Sequence, residues 1–401
     1  MKAINGLFFT LLLWPVSLAA QNSMTASPYS MFGLGEMAAG LYGQQVAMGG
    51  AVYGMRDAMG LNRENPAALT ALDSCRLIAE ASAFGRYETY RSGGDSHRAF
   101  VGNVSAFAIG ARICPGWYMA ASLTPYSMMG YYFKSEQPLE GSPSESYTST
   151  FQGSGGLSKA SLSQAFRLPA GFSVGVNLSY VFGNLKQTET QSALTVVQEM
   201  FVGSLYADFG LQYTRRIRRE LEVMLGAVYG YRQRLSLENT FTITGSTTSD
   251  EWKKKRETQY LPQYVGVGGA AVYKKMTYAL DYTFRQQRVL SSGDSRFRFR
   301  NTHECRVGAA WKPGGYPSGN YWKRVSYEAG VLVANPALSV ENRGGIHWRI
   351  SAGLGLPVSN GRIQAALFYD RLRLPRGALQ RSLTGLTLTY TIGEWMHKVK
   401  L

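Results

Sequence analysis

Long apolar runs are missing. Beyond Gln21 no stretch approaches the roughly 18 to 20 consecutive apolar residues that a helix needs to cross a bilayer, which excludes a helical membrane protein. Charge is scarce as well, at 17% of residues. Histidine is limited to His97, His303, His347 and His397, without i, i+4 spacing and without a cysteine cluster beside them. No metal site is therefore expected, and nothing in the sequence calls for a cofactor. Three cysteines, Cys75, Cys114 and Cys305, leave one unpaired if the chain is exported. A soluble secreted protein or a membrane barrel remains.

The N-terminus indicates export. Lys2 is followed by the apolar run Ile4 to Trp14, then by Pro15 and small residues up to Ala20, before polar Gln21. This order of charge, short apolar core and small residues predicts a secretory signal peptide over residues 1–20, cleaved after Ala19 or Ala20. The whole chain holds 45 Gly, 25 Tyr and 18 Phe, a composition suited to closely packed strands and interfacial aromatics. The formal net charge is +16. Nucleic acid is not expected as a partner of an exported chain without a binding module. Phosphates of outer-membrane lipid, lipopolysaccharide included, are the better candidates, against the plainer reading of solvated loop and lumen charge.

Periodicity decides between the two remaining classes. In 172–183, Phe172, Val174, Val176, Leu178, Tyr180 and Phe182 alternate with Ser173, Gly175, Asn177 and Ser179. In 276–285, Met276, Tyr278, Leu280, Tyr282 and Phe284 alternate with Thr277, Asp281, Thr283 and Arg285. One such strand can arise by chance, but the pattern recurs near 76–91, 97–112, 116–134, 144–168, 171–190, 193–217, 221–243, 255–274, 276–291, 295–312, 323–334, 343–356, 361–373 and 379–393. About fourteen alternating strands predict an all-β fold, a transmembrane antiparallel β-barrel over residues 76–395 followed by a tail at 396–401. Tight links follow the even strands and more polar, mostly longer links follow the odd ones, which puts the N-terminus in the periplasm. The link 312–322 is long for a periplasmic turn.

Residues 21–75 precede the first strand and show no sustained alternation. Their turn material, Gly49-Gly50 and Asn65-Pro66, and their apolar content predict a hatch, or plug, inside the lumen. Asn65 and Pro66 are the expected pivot, because Pro fixes φ and the Asn side chain can bond a local turn.

Several motifs were weighed for chemistry. Gly171-Phe172-Ser173-Val174-Gly175 matches the pattern of a hydrolase nucleophile elbow, but it opens a strand with no helix after it, so Ser173 reads as a small lumen-facing residue and no catalytic residue is assigned. Arg296, Arg298 and Arg300 alternate with Phe297 and Phe299, which sends the three Arg to one face, expected to be the lumen or the rim. They are candidates for binding a carboxylate or phosphate headgroup, or for pairing with lumen acids such as Asp208, Glu222, Asp281 or Glu328. Cys75 and Cys114 would face each other across a symmetric first hairpin, a candidate disulfide that leaves Cys305 free.

Ser27-Pro28-Tyr29-Ser30-Met31-Phe32-Gly33-Leu34-Gly35, then Met48-Gly49-Gly50 and Asn65-Pro66-Ala67-Ala68-Leu69, resemble the hatch of the FadL/TodX group of outer-membrane transporters. Leu354-Gly355-Leu356-Pro357, Leu386 to Trp395 and the basic tail of His397, Lys398 and Lys400 are similar to the same group. The resemblance implies a hatch-bearing barrel that moves hydrophobic, fatty-acid-like molecules to a lateral opening or the periplasm, with Phe32, Leu34, Asn65, Pro66 and Ala67 as candidate ligand and hatch residues. The loops are shorter than in the best-known members. Two other functions stay open: a barrel that docks a secretion or surface-attachment partner of unknown identity, and an outer-membrane lipid enzyme.

Alternation and loop parity together predict that the protein fractionates with the outer membrane and changes gel mobility on boiling, because a closed barrel resists detergent until its ladder melts. Release as a soluble periplasmic protein would contradict both.

Overall fold

The structure is a computed structural model that describes residues 25–38, 42–92, 95–139, 142–192, 194–245, 249–254, 259–290, 297–314, 320–341, 343–374 and 379–396. The expected signal peptide, residues 397–401 of the expected tail, and Arg296 lie outside the described residues.

The alternating segments form antiparallel strands: β1 (Arg76–Ser92), β2 (Asp95–Cys114), β3 (Trp117–Leu139), β4 (Ser142–Arg167), β5 (Phe172–Gln191), β6 (Leu194–Arg218), β7 (Leu221–Gly230), β8 (Tyr264–Tyr273), β9 (Met276–Arg285), β10 (Thr302–Trp311), β11 (Ser326–Ala334), β12 (Ile346–Val358), β13 (Gly361–Arg373) and β14 (Gln380–Trp395). Among the described residues the main sheet has seventeen strands, of which Glu36–Met37, Leu237–Thr244 and Ser249–Lys254 are accessory. The other fourteen pair in sequence order, and β14 returns to β1 from Arg76↔Trp395 to Arg91↔Gln380, closing the barrel.

The barrel is polar inside and apolar outside. Along β5, Ser173, Asn177 and Ser179 are buried while Phe172, Leu178, Tyr180 and Phe182 are exposed. Along β9, Asp281 and Thr283 are buried while Tyr278, Leu280 and Tyr282 are exposed. Large apolar side chains open to the exterior, such as Leu205 at 73% and Leu367 at 61% exposure, would be costly in water and are suited to lipid. Exposed Trp311, Trp322 and Trp395 sit at the end where the short turns gather, as interfacial aromatics do. No helix is long and apolar enough to cross a membrane among the described residues.

Strand lengths are unequal. β7 to β10 have 10 residues each, about what crosses a bilayer, whereas β3, β4 and β6 have 23, 26 and 25. The surplus stands on the long-loop side as a tall wall. This explains two differences from the sequence expectation. The chain after β7 bends away from β8, and Leu237–Thr244 instead pairs with the upper edge of β6, from Leu237↔Val202 to Thr244↔Thr195, where that edge would otherwise lack partners. Phe297–Phe299 does not extend β10; it pairs with Leu338–Val340 in a separate small sheet.

The ladder has one interruption that matters for function. β2 and β3 pair only from Phe107↔Leu123 to Cys114↔Trp117. Beyond that point β2 keeps β1 as its partner, and β3 keeps β4. Pro125, which has no N–H, lies where the pairing ends, and the register of β3 against β4 shifts between Pro125 and Ser127. The wall between β2 and β3 is therefore a seam.

The expected disulfide is not formed: Cys75, Cys114 and Cys305 are all free and exposed. The register of β1 on β2 shifts between Ser82 and Ala83, and below that shift Leu77 faces Ala111. Continuing that register places Cys75 opposite Ile113 rather than Cys114. Ser92 faces Asp95, so the hairpin is centred one residue short of the midpoint between Cys75 and Cys114; the shift moves Cys75 from opposite Arg112 to opposite Ile113, which still leaves the pair one residue out of register.

Candidate functional site

Residues 42–74 pack against the inner face of the wall towards the short turns, and backbone meets backbone at several wall glycines. Asn65-Pro66-Ala67 rests on Gly175 of β5, Gly210 of β6 and Gly226 of β7. A Cβ on Gly175 would lie 2.6 Å from the Ala67 nitrogen, and one on Gly210 or Gly226 would collide with Asn65 or with the Tyr53 carbonyl. Met48 and Gly49 lie in the same way over Gly308 of β10 and Gly330 of β11. Gly49 and Gly50 have φ of +69° and +88°, so the turn that lays this segment on the wall is closed to most other residues.

Asn65 is fully buried and caps the 3₁₀ turn Pro66–Ala71. Its Oδ1 accepts from the Ala67 amide (3.2 Å), its Nδ2 donates to the carbonyls of Tyr53 (2.7 Å) and Leu211 (3.3 Å), and its own amide donates to Asn62 Oδ1 (3.1 Å). The residue expected to pivot is thus clamped on every side, and any movement here must break these bonds together. Ser173, from the elbow-like motif, shares a 2.8 Å hydrogen bond with Thr70 at the end of the same turn, so its hydroxyl anchors the segment.

Charged wall residues hold the segment too. Asp281 of β9 accepts from the amides of Val52 (2.5 Å) and Tyr53 (2.8 Å). Arg362 of β13 pairs with Asp57 at 2.5 Å, and Arg381 of β14 pairs with Glu36. Burial alone would raise the Asp57 carboxyl, but the Arg362 guanidinium and the Met59 amide outweigh it and hold the group below its ordinary value. The sign follows: this contact is present at neutral pH and is lost only as pH falls below the ordinary carboxylate range.

Phe32 and Leu34 sit at a different level. Leu34 is buried in an apolar cluster with Met129, Leu157, Val181, Leu185 and Met200, on the inner face of β3 to β6 above the polar half of the lumen. Phe32 stacks on Phe297 at 4.4 Å between ring centroids. The candidate residues therefore form two groups, with Asn65, Pro66 and Ala67 low on the wall and Phe32 and Leu34 high on it. Between them the chain touches the seam. Glu36 and Met37 pair with Met128 and Ser127 on the free edge of β3, and the Ser30 hydroxyl accepts from the Gly130 amide at 3.0 Å.

Of the two arginine alternatives, pairing with the named lumen acids is not seen among the described residues. Phe297 turns inward onto Phe32, so the Phe side of this short strand faces protein, while Arg298 and Arg300 are exposed. The lumen acids proposed for them are engaged elsewhere: Asp281 by the two amides, Asp208 by Asn177 (2.5 Å), Glu328 by Ser326 (2.7 Å) and Glu222 by Arg216 (3.9 Å).

Sequence reasoning missed the glycine cradle, Asp281 as an amide acceptor, and the seam. Two signals were available: glycines at inward positions of alternating strands, and Pro125 within a strand.

A family model described as BamG matches residues 1–381. No curated protein matches the chain. Among solved structures, the chain is similar to the Pseudomonas putida toluene transporter TodX, at 14% identity over 90% of this chain and 99% of that one, with a TM-score of 0.59. It is also similar to a Pseudomonas aeruginosa FadL homologue (12% identity, 91% and 100% coverage, TM-score 0.59) and to the CymD monoaromatic hydrocarbon channel (15%, 93% and 100%, TM-score 0.55). At these identities the likeness is one of fold.

Replacing Asn65 with Ala should cost about 2–4 kcal/mol of local stability, the sum of a lost cap and buried carbonyls left without a donor. Hydrogen exchange of amides 52–70 should quicken while the barrel stays heat-modifiable. Unchanged protection would show that the clamp contributes nothing.

Proposed function

The chain belongs to the BamG family and has the FadL-type outer-membrane barrel fold, and on that premise we propose that it binds small hydrophobic, fatty-acid-like molecules and passes them through a plugged lumen. Residues 21–75 serve as the plug, and the short-turn end, which carries both ends of the barrel, faces the periplasm. No catalytic step is part of this reading.

The observation that carries it is the seam. Its free β3 edge lies beside the apolar cluster around Leu34, Met129 and Leu157 and is covered from inside by the short strand Glu36–Met37 and by Ser30. A small apolar molecule in that cluster has a lateral path into lipid once the strand moves. The axial path is less favourable, because it crosses the partly buried pair Asp57–Arg362 and the polar groups around Asn65, where an apolar solute gains nothing and polar groups would lose partners. Exterior apolar residues meet acyl chains, and Arg298 and Arg300, exposed on the long-loop side, are suited with Arg296 to lipid phosphates, lipopolysaccharide included, rather than to a lumen ligand.

A second reading, a barrel that docks a secretion or surface-attachment partner, is favoured by one observation. The segment is fixed by backbone contacts, and the cavities beside it are modest, of about 40 and 210 Å³, the larger lined mostly by polar and charged groups.

The test uses a variant with Cys75, Cys114 and Cys305 changed to Ser and with Met37→Cys and Ser127→Cys, which are cross-strand partners. Saturable uptake of a labelled fatty acid into proteoliposomes should disappear on oxidation and return on reduction. Deleting residues 27–60 should raise single-channel conductance and abolish saturation. Uptake indifferent to the cross-link would remove the seam from the route, and no uptake by the unaltered protein would put the docking reading first.

A further inference from the structure

The larger cavity lies at the short-turn mouth of the lumen, away from the apolar cluster and the seam. Its lining carries Arg56 from the N-terminal segment with Lys275, Lys312, Arg324 and Arg362 from the wall. Asp57 is the only acid in that lining, and its oxygens are taken up by Arg362 (2.5 Å) and by the Met59 amide (3.0 Å). Leaving aside Arg324, which has partners of its own, one carboxylate therefore stands against four cations. Arg56 does not change the balance, since it donates to Gln212 Oε1 (2.6 Å) and Thr70 Oγ1 (2.8 Å), both neutral.

The placement of the two lysines sharpens the imbalance. Met276 faces Trp311 across β9 and β10, and the Lys312 amide donates to the Lys275 carbonyl at 2.9 Å, so the lysines stand opposite each other at the end of the ladder. Like charges directly opposite on neighbouring strands are unfavourable unless something between them carries the opposite sign. Among the described residues no ion pair is formed by Lys275 or Lys312, although neighbouring Lys274 is paired with Glu220 at 3.6 Å. A volume of about 210 Å³ is also far more than one buried water requires, about 10–15 Å³ on the same measure.

We propose that this mouth binds a phosphate-bearing anion, supplied either as the headgroup of an anionic phospholipid or as a free phosphorylated solute. Lys275 and Lys312 contribute mobile point charges from the rim. Arg56 and Arg362, held in place by their own hydrogen bonds, give the site a fixed floor. Met55, Met224 and Val272 line the other side and would take the apolar part of a lipid. The site is independent of the passage of hydrophobic molecules: it uses different residues and needs no movement at the seam.

The test compares the full-length protein with Lys275→Ala/Lys312→Ala and with Lys323→Ala, an exposed lysine outside the lining. Calorimetry in detergent, with pyrophosphate as the probe against chloride at equal ionic strength, should show binding that the double variant weakens about tenfold or more and that Lys323→Ala leaves intact. In parallel, native mass spectrometry of protein taken from phosphatidylglycerol or phosphatidylcholine nanodiscs reads the lipid source. Retention of phosphatidylglycerol that the double variant loses supports the headgroup, and pyrophosphate binding without lipid retention supports the solute. The proposal is overturned if neither probe distinguishes the double variant from the parent, or if chloride competes as well as pyrophosphate. Heat-modifiable mobility of each variant establishes that its barrel is closed.

Discussion

A backbone amide that faces hydrocarbon has no water to bond, so each N–H and C=O in the membrane must find a partner within the protein. Fourteen strands returning from β14 to β1 meet this requirement around nearly the whole wall. A related need, that a strand edge left open should find a partner, governs the exceptions. Where β6 rises above β7, Leu237–Thr244 folds back to supply its partner. Where Pro125 ends the pairing of β2 with β3, Glu36 and Met37 reach up from the lumen and pair with the free edge. The N-terminal segment is thus part of the hydrogen-bonding solution as well as filling.

Inside the lumen the rule changes from ladder to contact. Gly175, Gly210, Gly226, Gly308 and Gly330 remove side chains so that two backbones can approach, and Asn65, Asp281 and Ser351 supply the polar groups that such an approach leaves in need. Ion pairs at Asp57 and Glu36 hold the two ends of the segment to β13 and β14. The lumen is consequently divided: a clamped half near the short turns, where hydrogen bonds and ion pairs are interleaved with small apolar clusters, and an apolar half beside the seam.

Most of this barrel was legible in the sequence because its two solvents impose a period of two on each strand. The outward and inward residues of β5 and β9 fall as their alternation predicts. Legibility fails where a single residue breaks the count. With Ser92 facing Asp95, the first hairpin is centred one residue short of the midpoint between Cys75 and Cys114, and the symmetry argument for them fails. It fails again where a distant residue decides which way a face points: Phe297 turns inward because Phe32 is there to receive it, which no local pattern of Arg and Phe announces. At the candidate site, Asn65, Pro66 and Ala67 were recognisable as a motif, but their partners lie more than a hundred residues away and belong to three different strands.

That separation sets an order of events in biogenesis. The segment containing Val52 and Asn65 is made before any barrel strand, yet Asp281 follows Val52 by 229 positions and the Leu211 carbonyl follows Asn65 by 146. Glu36 must wait for Arg381, 345 positions on. Contacts of such long range are the slowest to form, because a great length of chain has to be brought together before any of them is rewarded. The segment nearest the N-terminus is therefore the one whose contacts wait longest for their partners, and the wall edge that Glu36 and Met37 complete stays open until it arrives.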